Sequence, residues 1–386
     1  MKVADRIGNL PPYVFAKLGR RIRELSAEGK DIIRLDIGSP DLPPPAFIIE
    51  ALYHSAQSPS HHGYGGFYGI PELRQAMATY YERRFGVHLD PEKEVVPLIG
   101  SKEGIVNVTL SFVDPGDLVL CPDPGYPAYT LGTLLASGEP YRVPLLAENG
   151  YLPDLDAIPA DVARAARILW LNYPNNPTGA VAPMDLFEQA VAFGRKYDVL
   201  ICHDNPYCDV VFDGYEAPSL LQVPGATDVA LEFNSLSKTY NMAGWRVGMA
   251  MGNATAVEAL ARIKTNIDSG IFRAIQDASI LALTGDQTWL EARNETYRQR
   301  RDLILSALAE IGMKAAKPVA SLYVWAQIPT GYTSVQFATR LLEEGGVSVT
   351  PGTVFGQNGE GYVRISLGMD TERIREAMGR IKAFDF

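Results

Sequence analysis

The feature that most restricts the fold of this chain is a series of short apolar runs that alternate with segments of helix length. Six such runs, rich in β-branched residues, lie at residues 94–100, 117–123, 167–174, 198–207, 229–238 and 246–252. Nearly continuous apolar strands separated by helices are typical of a mostly parallel sheet that is covered on both faces. The pattern therefore predicts an α/β fold with such a sheet at its centre.

The pattern changes near residue 284, and this change predicts a second packing unit. At 386 residues the chain exceeds the size at which a single hydrophobic core usually stops growing. A long charged helical pattern over residues 286–312 precedes strand candidates at residues 321–328 and 361–368. We expect a large domain over residues 41–283, a smaller α+β domain over residues 284–386, and an N-terminal segment, residues 1–40, that joins the small domain.

Charge and composition exclude several classes of protein. The formal net charge of -10 argues against nucleic acid or an anionic membrane as the main partner, since both require a surplus of Lys and Arg. No apolar stretch is long enough to span a membrane, and the N-terminus lacks the apolar core of a signal peptide. Cys121, Cys202 and Cys208 have no framework spacing, which predicts reduced thiols in the cytoplasm. With His203, the last two fit no standard metal site, so we predict no metal.

Several polar groups that follow the predicted strands suit a phosphate. A helix that begins near Ser101 offers unpaired amides and the positive end of its dipole, although Ser101 could equally be an ordinary N-cap. Ser235 and Ser237 add hydroxyl groups, and Arg246 adds a bidentate donor whose alternative is a salt bridge. Ligands bind beyond the carboxyl ends of strands in such sheets, so these groups can converge on one dianion.

A second set of residues suits an aromatic ring with a reactive carbonyl. Asp204 follows a buried strand, where a carboxylate needs a cationic partner, although a helix N-cap would be the alternative. Rigid turns carry Asn176 and Tyr126, and Tyr126 suits stacking on an aromatic ligand. Tyr207 adds a phenol, and the amine of Lys238 can condense with an aldehyde. Together with the phosphate site, these groups indicate a phosphorylated aromatic aldehyde as the cofactor.

Seven motifs resemble those of the class I and II aminotransferases of pyridoxal-phosphate fold type I. In family order, between about residues 37 and 368, they are IGSPDLPPP, GYGGFYGIPELRQAM, PDPGYPAY, NYPNNPTG, DNPY, SLSKTYNMAGWRVG and GYVRISL. The resemblance covers nearly the whole chain, and the combination is specific. It implies pyridoxal 5′-phosphate as cofactor and ping-pong transfer of an amino group between an L-amino acid and a 2-oxo acid.

The resemblance also implies a role for each matching residue. Lys238 is expected to form the Schiff base with the cofactor and to carry the proton, and Asp204 to pair with the pyridinium nitrogen. Arg364, with the backbone near Gly38, is expected to bind the substrate α-carboxylate. Tyr207, which counts among the catalytic residues, and Asn176, which also faces the substrate, match the residues that hydrogen-bond the phenolic oxygen of the ring. The expected stacking and phosphate contacts are Tyr126, Ser101, Lys102, Ser235, Ser237, Arg246 and Tyr64.

Two further expectations concern the surroundings of the site. Tyr64 matches a tyrosine that reaches the phosphate of the neighbouring subunit, which implies a homodimer with shared active sites. Tyr13 and Phe15 are candidates for a lid over the substrate. Arg273 could supply a charge for an acidic side chain, or it could be a structural surface arginine.

The amino donor is the least restricted part of the prediction. The N-terminal sequence and the segment IDSGIFRAIQ resemble the diaminopimelate and aspartate aminotransferase branch most. This favours LL-diaminopimelate or aspartate as donor and 2-oxoglutarate as acceptor. Alanine and aromatic amino acids stay open as donors, and so does a carbon–sulfur lyase reaction on the same fold, although those relatives often lose the Arg of GWRVG.

Overall fold

The computed structural model describes residues 1–8, 10–11 and 14–384 of the chain. Its strands are β1 (Ile33–Arg34), β2 (Val95–Leu98), β3 (Leu118–Asp123), β4 (Glu139–Pro144), β5 (Ala166–Asn172), β6 (Leu200–Asp204), β7 (Ala230–Ser235), β8 (Gly248–Gly252), β9 (Tyr323–Gln327), β10 (Val347–Ser348), β11 (Thr350–Pro351) and β12 (Tyr362–Ser366). Its α-helices are α1 (Asp5–Gly8), α2 (Val14–Ala27), α3 (Ala46–Ala56), α4 (Pro71–Phe85), α5 (Ser101–Phe112), α6 (Ala128–Leu135), α7 (Ala160–Ala165), α8 (Met184–Tyr197), α9 (Leu236–Thr239), α10 (Ala254–Ile267), α11 (Arg273–Thr284), α12 (Trp289–Glu310), α13 (Ser334–Glu343) and α14 (Thr371–Lys382).

A seven-stranded sheet in the order β2-β8-β7-β6-β5-β3-β4 forms the centre of the molecule. Strand β8 runs antiparallel to both of its neighbours, and the other strands are parallel to one another. The predicted α/β fold with a mostly parallel central sheet is thus confirmed. Because β8 is antiparallel to β7, the connection between them lies at the edge where the parallel strands end.

Alternate residues of these strands pack into cores on the two faces of the sheet, as the side-chain period of a strand requires. One core joins the sheet to α4, α8 and α11 through residues such as Leu169, Ile201 and Met249. The other joins it to α5, α6 and α10 through residues such as Trp170 and Phe233. With both faces buried, the edge at the carboxyl ends of the strands is left to bind ligands.

A smaller unit consists of elements from both ends of the chain. Strands β11, β12 and β9 form an antiparallel sheet, and β1 pairs in parallel with β10, with Ile33 opposite Val347. A third core contains Ile33 and Leu35 together with residues of α12, α13 and α14. The chain before residue 40 therefore packs with the C-terminal elements, whereas the domain limits at residues 40/41 and 283/284 stay a prediction.

The elements follow the sequence pattern closely, and within the central sheet one strand was not indicated by the pattern. The long charged helix predicted over residues 286–312 is α12, and the strand candidates at 321–328 and 361–368 are β9 and β12. Strand β4, Glu139–Pro144, lies at the sheet edge and has exposed positions, so its sequence lacks a continuous apolar run. None of the helices in the described part of the chain combines the length and the apolar character that crossing a bilayer requires.

Candidate active site

A cavity of about 400 Å³ lies where the parallel strands end against the smaller unit. Of the residues singled out from the sequence, twelve line it, namely Gly38, Ser101, Lys102, Tyr126, Asn176, Asp204, Tyr207, Ser235, Ser237, Lys238, Arg246 and Arg364. They come from segments that are far apart in the chain, and the ends of neighbouring strands bring most of them together. Among all the lining residues, five have cationic side chains and two have carboxylates, namely Arg34, Lys102, Lys238, Arg246, Arg364, Asp36 and Asp204. An acidic chain thus presents a cationic cavity, which suits anionic ligands.

Lys238 lies in the short helix α9, directly after β7. The helix has Ser235 as its N-cap, because the Ser235 hydroxyl accepts a hydrogen bond from the Ser237 amide at 3.2 Å. The Lys238 ammonium donates to the carbonyl oxygen of Gly38 on the opposite wall. Burial lowers the pKa of Lys238 to about 8, with help from the positive charges of Arg364 and Arg246 and against the charge of Asp204. A lysine with this pKa has a substantial share of the nucleophilic neutral amine near neutral pH.

Asp204 ends β6 and is 4% exposed. Its Oδ2 accepts a hydrogen bond from the Tyr129 hydroxyl at 2.8 Å, whereas its buried Oδ1 has no partner among the described residues. Burial raises the pKa of Asp204 to about 6, although the bond from Tyr129 opposes this shift. No helix begins at Asp204, so the alternative of an N-cap is wrong. A protonated ring nitrogen would supply both the donor and the positive charge that Oδ1 lacks.

Arg364 lies on β12 and is 3% exposed, with its guanidinium carbon 4.2 Å from the ring centre of Tyr323 and 4.8 Å from that of Phe355. Its Nη1 donates to Asn176 Oδ1 and its Nη2 to the carbonyl oxygen of Asp36, both at 2.8 Å. No carboxylate of the described residues forms an ion pair with it. A buried, oriented guanidinium of this kind suits a carboxylate ligand, which it can hold by two parallel bonds.

The groups that suit a phosphate lie around the start of α5. Ser101 is the first residue of this helix, and its N-cap is Gly100 with φ of 76°, so the reading of Ser101 as an ordinary N-cap is wrong. A Cβ atom at Gly100 would lie 2.0 Å from Nη2 of Arg246, which shows how closely that guanidinium approaches the helix start. The amides of α5 and the cation of Arg246 therefore point to the same anion-binding region.

The ring-binding residues occupy the space between these groups. Tyr207 is 4% exposed, and its hydroxyl lies 2.8 Å from that of Tyr323. Because Asn176 Oδ1 accepts from Arg364, the amide group of Asn176 is the side that can donate to a ligand. Tyr126 packs edge-on against Tyr129, with ring centres 5.8 Å apart. The arrangement offers an aromatic wall and polar donors to a planar ligand.

Two of the residues singled out from the sequence, Tyr64 and Arg273, stand apart from this group. Tyr64 does not line the described cavity and is 87% exposed. Tyr13 lies outside the described residues, and so does the side chain of Phe15. Arg273 forms an ion pair of 2.9 Å with Asp277 on its own helix and lies away from the cavity wall as described, which favours the structural interpretation.

Sequence reasoning missed several residues that support the site. Tyr129, in the PDPGYPAY motif, holds Asp204, and Asn172, in NYPNNPTG, donates to the Asp204 carbonyl oxygen at 2.7 Å. Arg293 is 4% exposed and donates at 2.8 Å to the carbonyl oxygen of Lys238 and also to that of Thr239. The position of the first two within motifs was a usable signal. Arg293 belongs to a helix remote in sequence, and no local pattern identifies it.

The residues fit pyridoxal phosphate on their own chemistry. The unpartnered Oδ1 of Asp204 suits the ring nitrogen, the α5 start with Arg246 suits the phosphate, and the amine of Lys238 suits the aldehyde carbon. Arg364 lies beyond these groups and is available to a second anion, a substrate carboxylate.

Comparison with known proteins agrees with this chemistry. The family model described as aminotransferase class I and II matches residues 30–381. The LL-diaminopimelate aminotransferases of Moorella thermoacetica and Desulforudis audaxviator are each 53% identical to the chain; the first alignment covers 99% of this chain and 98% of the relative, the second 98% and 97%. The substrate-bound structure of BacF from Bacillus subtilis is 40% identical, with a TM-score of 0.95 over 99% of this chain and 98% of that one. An aminotransferase structure from Staphylococcus aureus is 38% identical, with a TM-score of 0.91 and the same two coverages.

Proposed function

This chain belongs to the class I and II aminotransferases, which use pyridoxal phosphate, and on that basis we propose LL-diaminopimelate as its amino donor and 2-oxoglutarate as its acceptor. Relatives that carry the name LL-diaminopimelate aminotransferase match the full chain at up to 53% identity, which supports this choice of donor. The observation that carries the chemistry is the cavity itself, where Lys238, Asp204 and Arg364 meet.

In this proposal each residue acts on a stated atom. Bound pyridoxal phosphate supplies an aldehyde carbon that bonds to amino groups and a ring that takes up electrons. Arg364 binds the α-carboxylate of the donor and thereby orients its Cα toward Lys238. The Nζ of Lys238 removes the Cα proton of the donor and, in the second half-reaction, returns a proton to Cα of the acceptor. Asp204 Oδ1 accepts a hydrogen bond from the ring nitrogen and keeps that nitrogen protonated. Tyr207 and Asn176 orient the ring.

A chemical test of the lysine assignment uses reduction with borohydride. Purified wild-type protein with pyridoxal phosphate should be yellow, and borohydride should attach the cofactor covalently to the peptide that contains Lys238. Lys238→Ala should yield no such peptide and should lose half-transamination. Lys102→Ala, which removes another lysine of the same cavity, should keep the covalent product. Attachment at Lys102, or an intact rate in Lys238→Ala, would refute the role.

The donor assignment is tested with a panel of amino acids. The conversion of the bound cofactor to its amine form is followed after mixing with LL-diaminopimelate, aspartate, alanine or phenylalanine. We expect the highest kcat/KM for LL-diaminopimelate and recovery of the original spectrum on addition of 2-oxoglutarate. A higher value for one of the other donors would reassign the substrate and leave the aminotransferase activity intact.

We further propose that two copies of the chain form a dimer in which Tyr64 completes the phosphate site of the partner. Tyr64 belongs to a group of exposed apolar side chains on one part of the surface, where His62 contacts Phe272 at 5.8 Å between ring centres. The exposed members of this group are Ile49, Tyr53, Tyr64, Phe67, Tyr68, Ile267 and Phe272. Exposed apolar side chains on segments that pack together support an interface between proteins.

Mixing of two inactive variants tests this arrangement. Lys238→Ala and Tyr64→Ala chains are denatured together and refolded, and the mixture is assayed. A shared site predicts recovered activity, because each mixed dimer has one site with both an intact Lys238 and an intact Tyr64. Refolding of each variant alone is the control. A monomeric wild-type protein in sedimentation, or no recovery in a mixture that does form mixed dimers, would contradict the proposal.

We also propose that the enzyme works in the cytoplasm. Its Cys121, Cys202 and Cys208 are free and buried, which supports a reducing compartment. Cell fractionation with an antibody against the chain tests this location, and recovery outside the cytoplasmic fraction would contradict it.

A further inference from the structure

One ion pair on the cavity wall has no role in the chemistry described so far. Arg34 and Asp36 both line the cavity, and they lie on the same side of an extended segment, two residues apart. Arg34 Nε donates to Asp36 Oδ1 at 3.1 Å, and Nη2 donates to Oδ2 at 2.6 Å. The Arg34 side chain is 33% exposed, whereas that of Asp36 is 2% exposed. The pair thus contributes both a guanidinium and a carboxylate to the cavity wall.

The geometry leaves part of the guanidinium available to a ligand. A guanidinium has five N–H donors in a planar fork, and Asp36 occupies one edge through Nε and Nη2. Among the described residues, Asp36 accepts the hydrogen bonds of the Arg34 side chain through Nε and Nη2, so the edge that contains Nη1 keeps its donors. Because the bidentate contact holds the plane of the guanidinium, a second carboxylate can bind at this edge without reorganisation of the side chain.

The pair lies close to the group that binds the reacting end of the substrate. The carbonyl oxygen of Asp36 accepts a hydrogen bond from Arg364 at 2.8 Å, and the carbonyl oxygen of Gly38, two residues on, accepts from Lys238. The segment from Arg34 to Gly38 therefore forms a continuous wall along the substrate region. An amino acid whose α-carboxylate is bound by Arg364 would extend its side chain within this cavity.

The chemistry of LL-diaminopimelate points to a function for the Arg34–Asp36 pair, and this inference rests on the proposed donor. LL-diaminopimelate has two identical amino acid ends, so its far end carries a carboxylate and an ammonium group with no net charge. A lone arginine would favour aspartate or glutamate, and a lone carboxylate would favour lysine. We propose that Arg34 binds the far carboxylate of LL-diaminopimelate and that Asp36 orients Arg34 and supplies the negative charge for the far ammonium group.

Two donors that each lack one far group of LL-diaminopimelate separate the contributions of Arg34 and Asp36. L-lysine is LL-diaminopimelate without the far carboxylate, and L-2-aminopimelate is the same molecule without the far ammonium group. We expect Arg34→Gln to lower the ratio of kcat/KM for LL-diaminopimelate to that for L-lysine by about ten- to hundredfold, the value of a hydrogen bond to a charged group. Asp36→Asn should lower the ratio of LL-diaminopimelate to L-2-aminopimelate in the same direction. Single-turnover conversion of the bound cofactor measures slow donors as well as fast ones.

Controls distinguish recognition from a structural effect. Arg262→Gln removes an exposed arginine that pairs with Glu258 away from the cavity, and it should leave both ratios unchanged. Arg34→Lys should restore part of the LL-diaminopimelate to L-lysine ratio, because it restores the charge without the fork. Equal losses for LL-diaminopimelate and L-lysine in Arg34→Gln would overturn the inference while the donor assignment stands. A wild-type enzyme that does not convert LL-diaminopimelate would overturn the donor assignment and, with it, the role of the pair.

Discussion

The hydroxyl of Tyr207 lies 2.8 Å from the hydroxyl of Tyr323, and the ring of Tyr323 lies 4.2 Å from the guanidinium carbon of Arg364. Tyr323 is itself 2% exposed. The buried side chain of Tyr323 thus contacts both Tyr207, which is proposed to bind the cofactor, and Arg364, which is proposed to bind the substrate carboxylate. The two halves of the site are joined through this tyrosine.

Removal of the Tyr323 hydroxyl should change the titration of the bound cofactor. If Tyr207 donates to the phenolic oxygen of the cofactor, Tyr323 must donate to Tyr207, and its loss weakens Tyr207 as a donor. We expect Tyr323→Phe to raise the pH midpoint of the cofactor colour change by about half to one unit, the equivalent of one hydrogen bond. A pH titration of visible absorbance measures this. Tyr362→Phe, which changes a ring stacked on Trp325 outside the cavity, is the control, and an equal shift in it would contradict the coupling.

Asp204→Asn should stabilise the cofactor-free protein at neutral pH. The folded pKa is about 6 against 3.8 for the reference carboxyl, so the folded chain binds more protons between these values and stability falls as pH rises through that window. The cost above pH 6 is about 3 kcal/mol at most. Urea unfolding should show a gain that is larger at pH 8 than at pH 5, together with weaker cofactor binding. The exposed Asp228→Asn should change stability by less than about 1 kcal/mol at both pH values, and a similar gain in it would argue against burial as the cause.

Gly100→Ala should weaken cofactor binding through Arg246. The new Cβ would lie 2.0 Å from Arg246 Nη2, so the guanidinium must move away from the start of α5. Gly116 has a similar positive φ of 89° but open space around it, so Gly116→Ala shares the backbone strain and lacks the clash. Equilibrium dialysis should give a Kd for pyridoxal phosphate at least about tenfold higher in Gly100→Ala than in Gly116→Ala. Equal affinities would remove Arg246 from the phosphate site.

Arg293→Met should lower the stability of the whole protein. Arg293 donates to the carbonyl oxygens of Lys238 and Thr239, and these acceptors would lose this donor. We expect a loss of about 2–4 kcal/mol in the free energy of unfolding, measured by urea denaturation. Arg298→Met, on the same helix, breaks partly exposed ion pairs with Glu295 and Asp302 and should cost much less stability than Arg293→Met. Comparable losses in the two variants would show that the buried carbonyls do not depend on Arg293.

Much of the fold was predictable because the hydrophobic pattern of a buried parallel sheet is local. The sequence runs predicted all the strands of the central sheet except β4, Glu139–Pro144, where edge exposure and two prolines interrupt the pattern. Limits shifted by a few residues, as at β6, where the predicted run of residues 198–207 contains a strand only at Leu200–Asp204. Strand ends depend on hydrogen bonding with neighbours, which one segment does not reveal.

The candidate site likewise contains residues that the sequence could identify and residues that it could not. Motif residues such as Lys238, Asp204 and Arg246 could be named from the sequence because each lies at or near a strand end that faces the cavity. Tyr323 and Arg293 could not, because they reach the site from elements of the smaller unit, and only tertiary packing brings them there. The role proposed for Tyr64 involves a second copy of the chain, so the geometry of one chain does not test it.

The reversed strand β8 has a consequence for folding. Lys238 and Arg246 both lie in the connection between β7 and β8, which pair directly as antiparallel neighbours. Their contacts are short in sequence, whereas Asp204 and Arg364 join the site through pairings across much longer separations. We therefore expect the amine and the guanidinium to take up their relative positions early, with carboxylate recognition completed last. A partly folded chain would then have the amine and the guanidinium in place before the start of α5 completes the phosphate region and before the site gains any preference among amino acids.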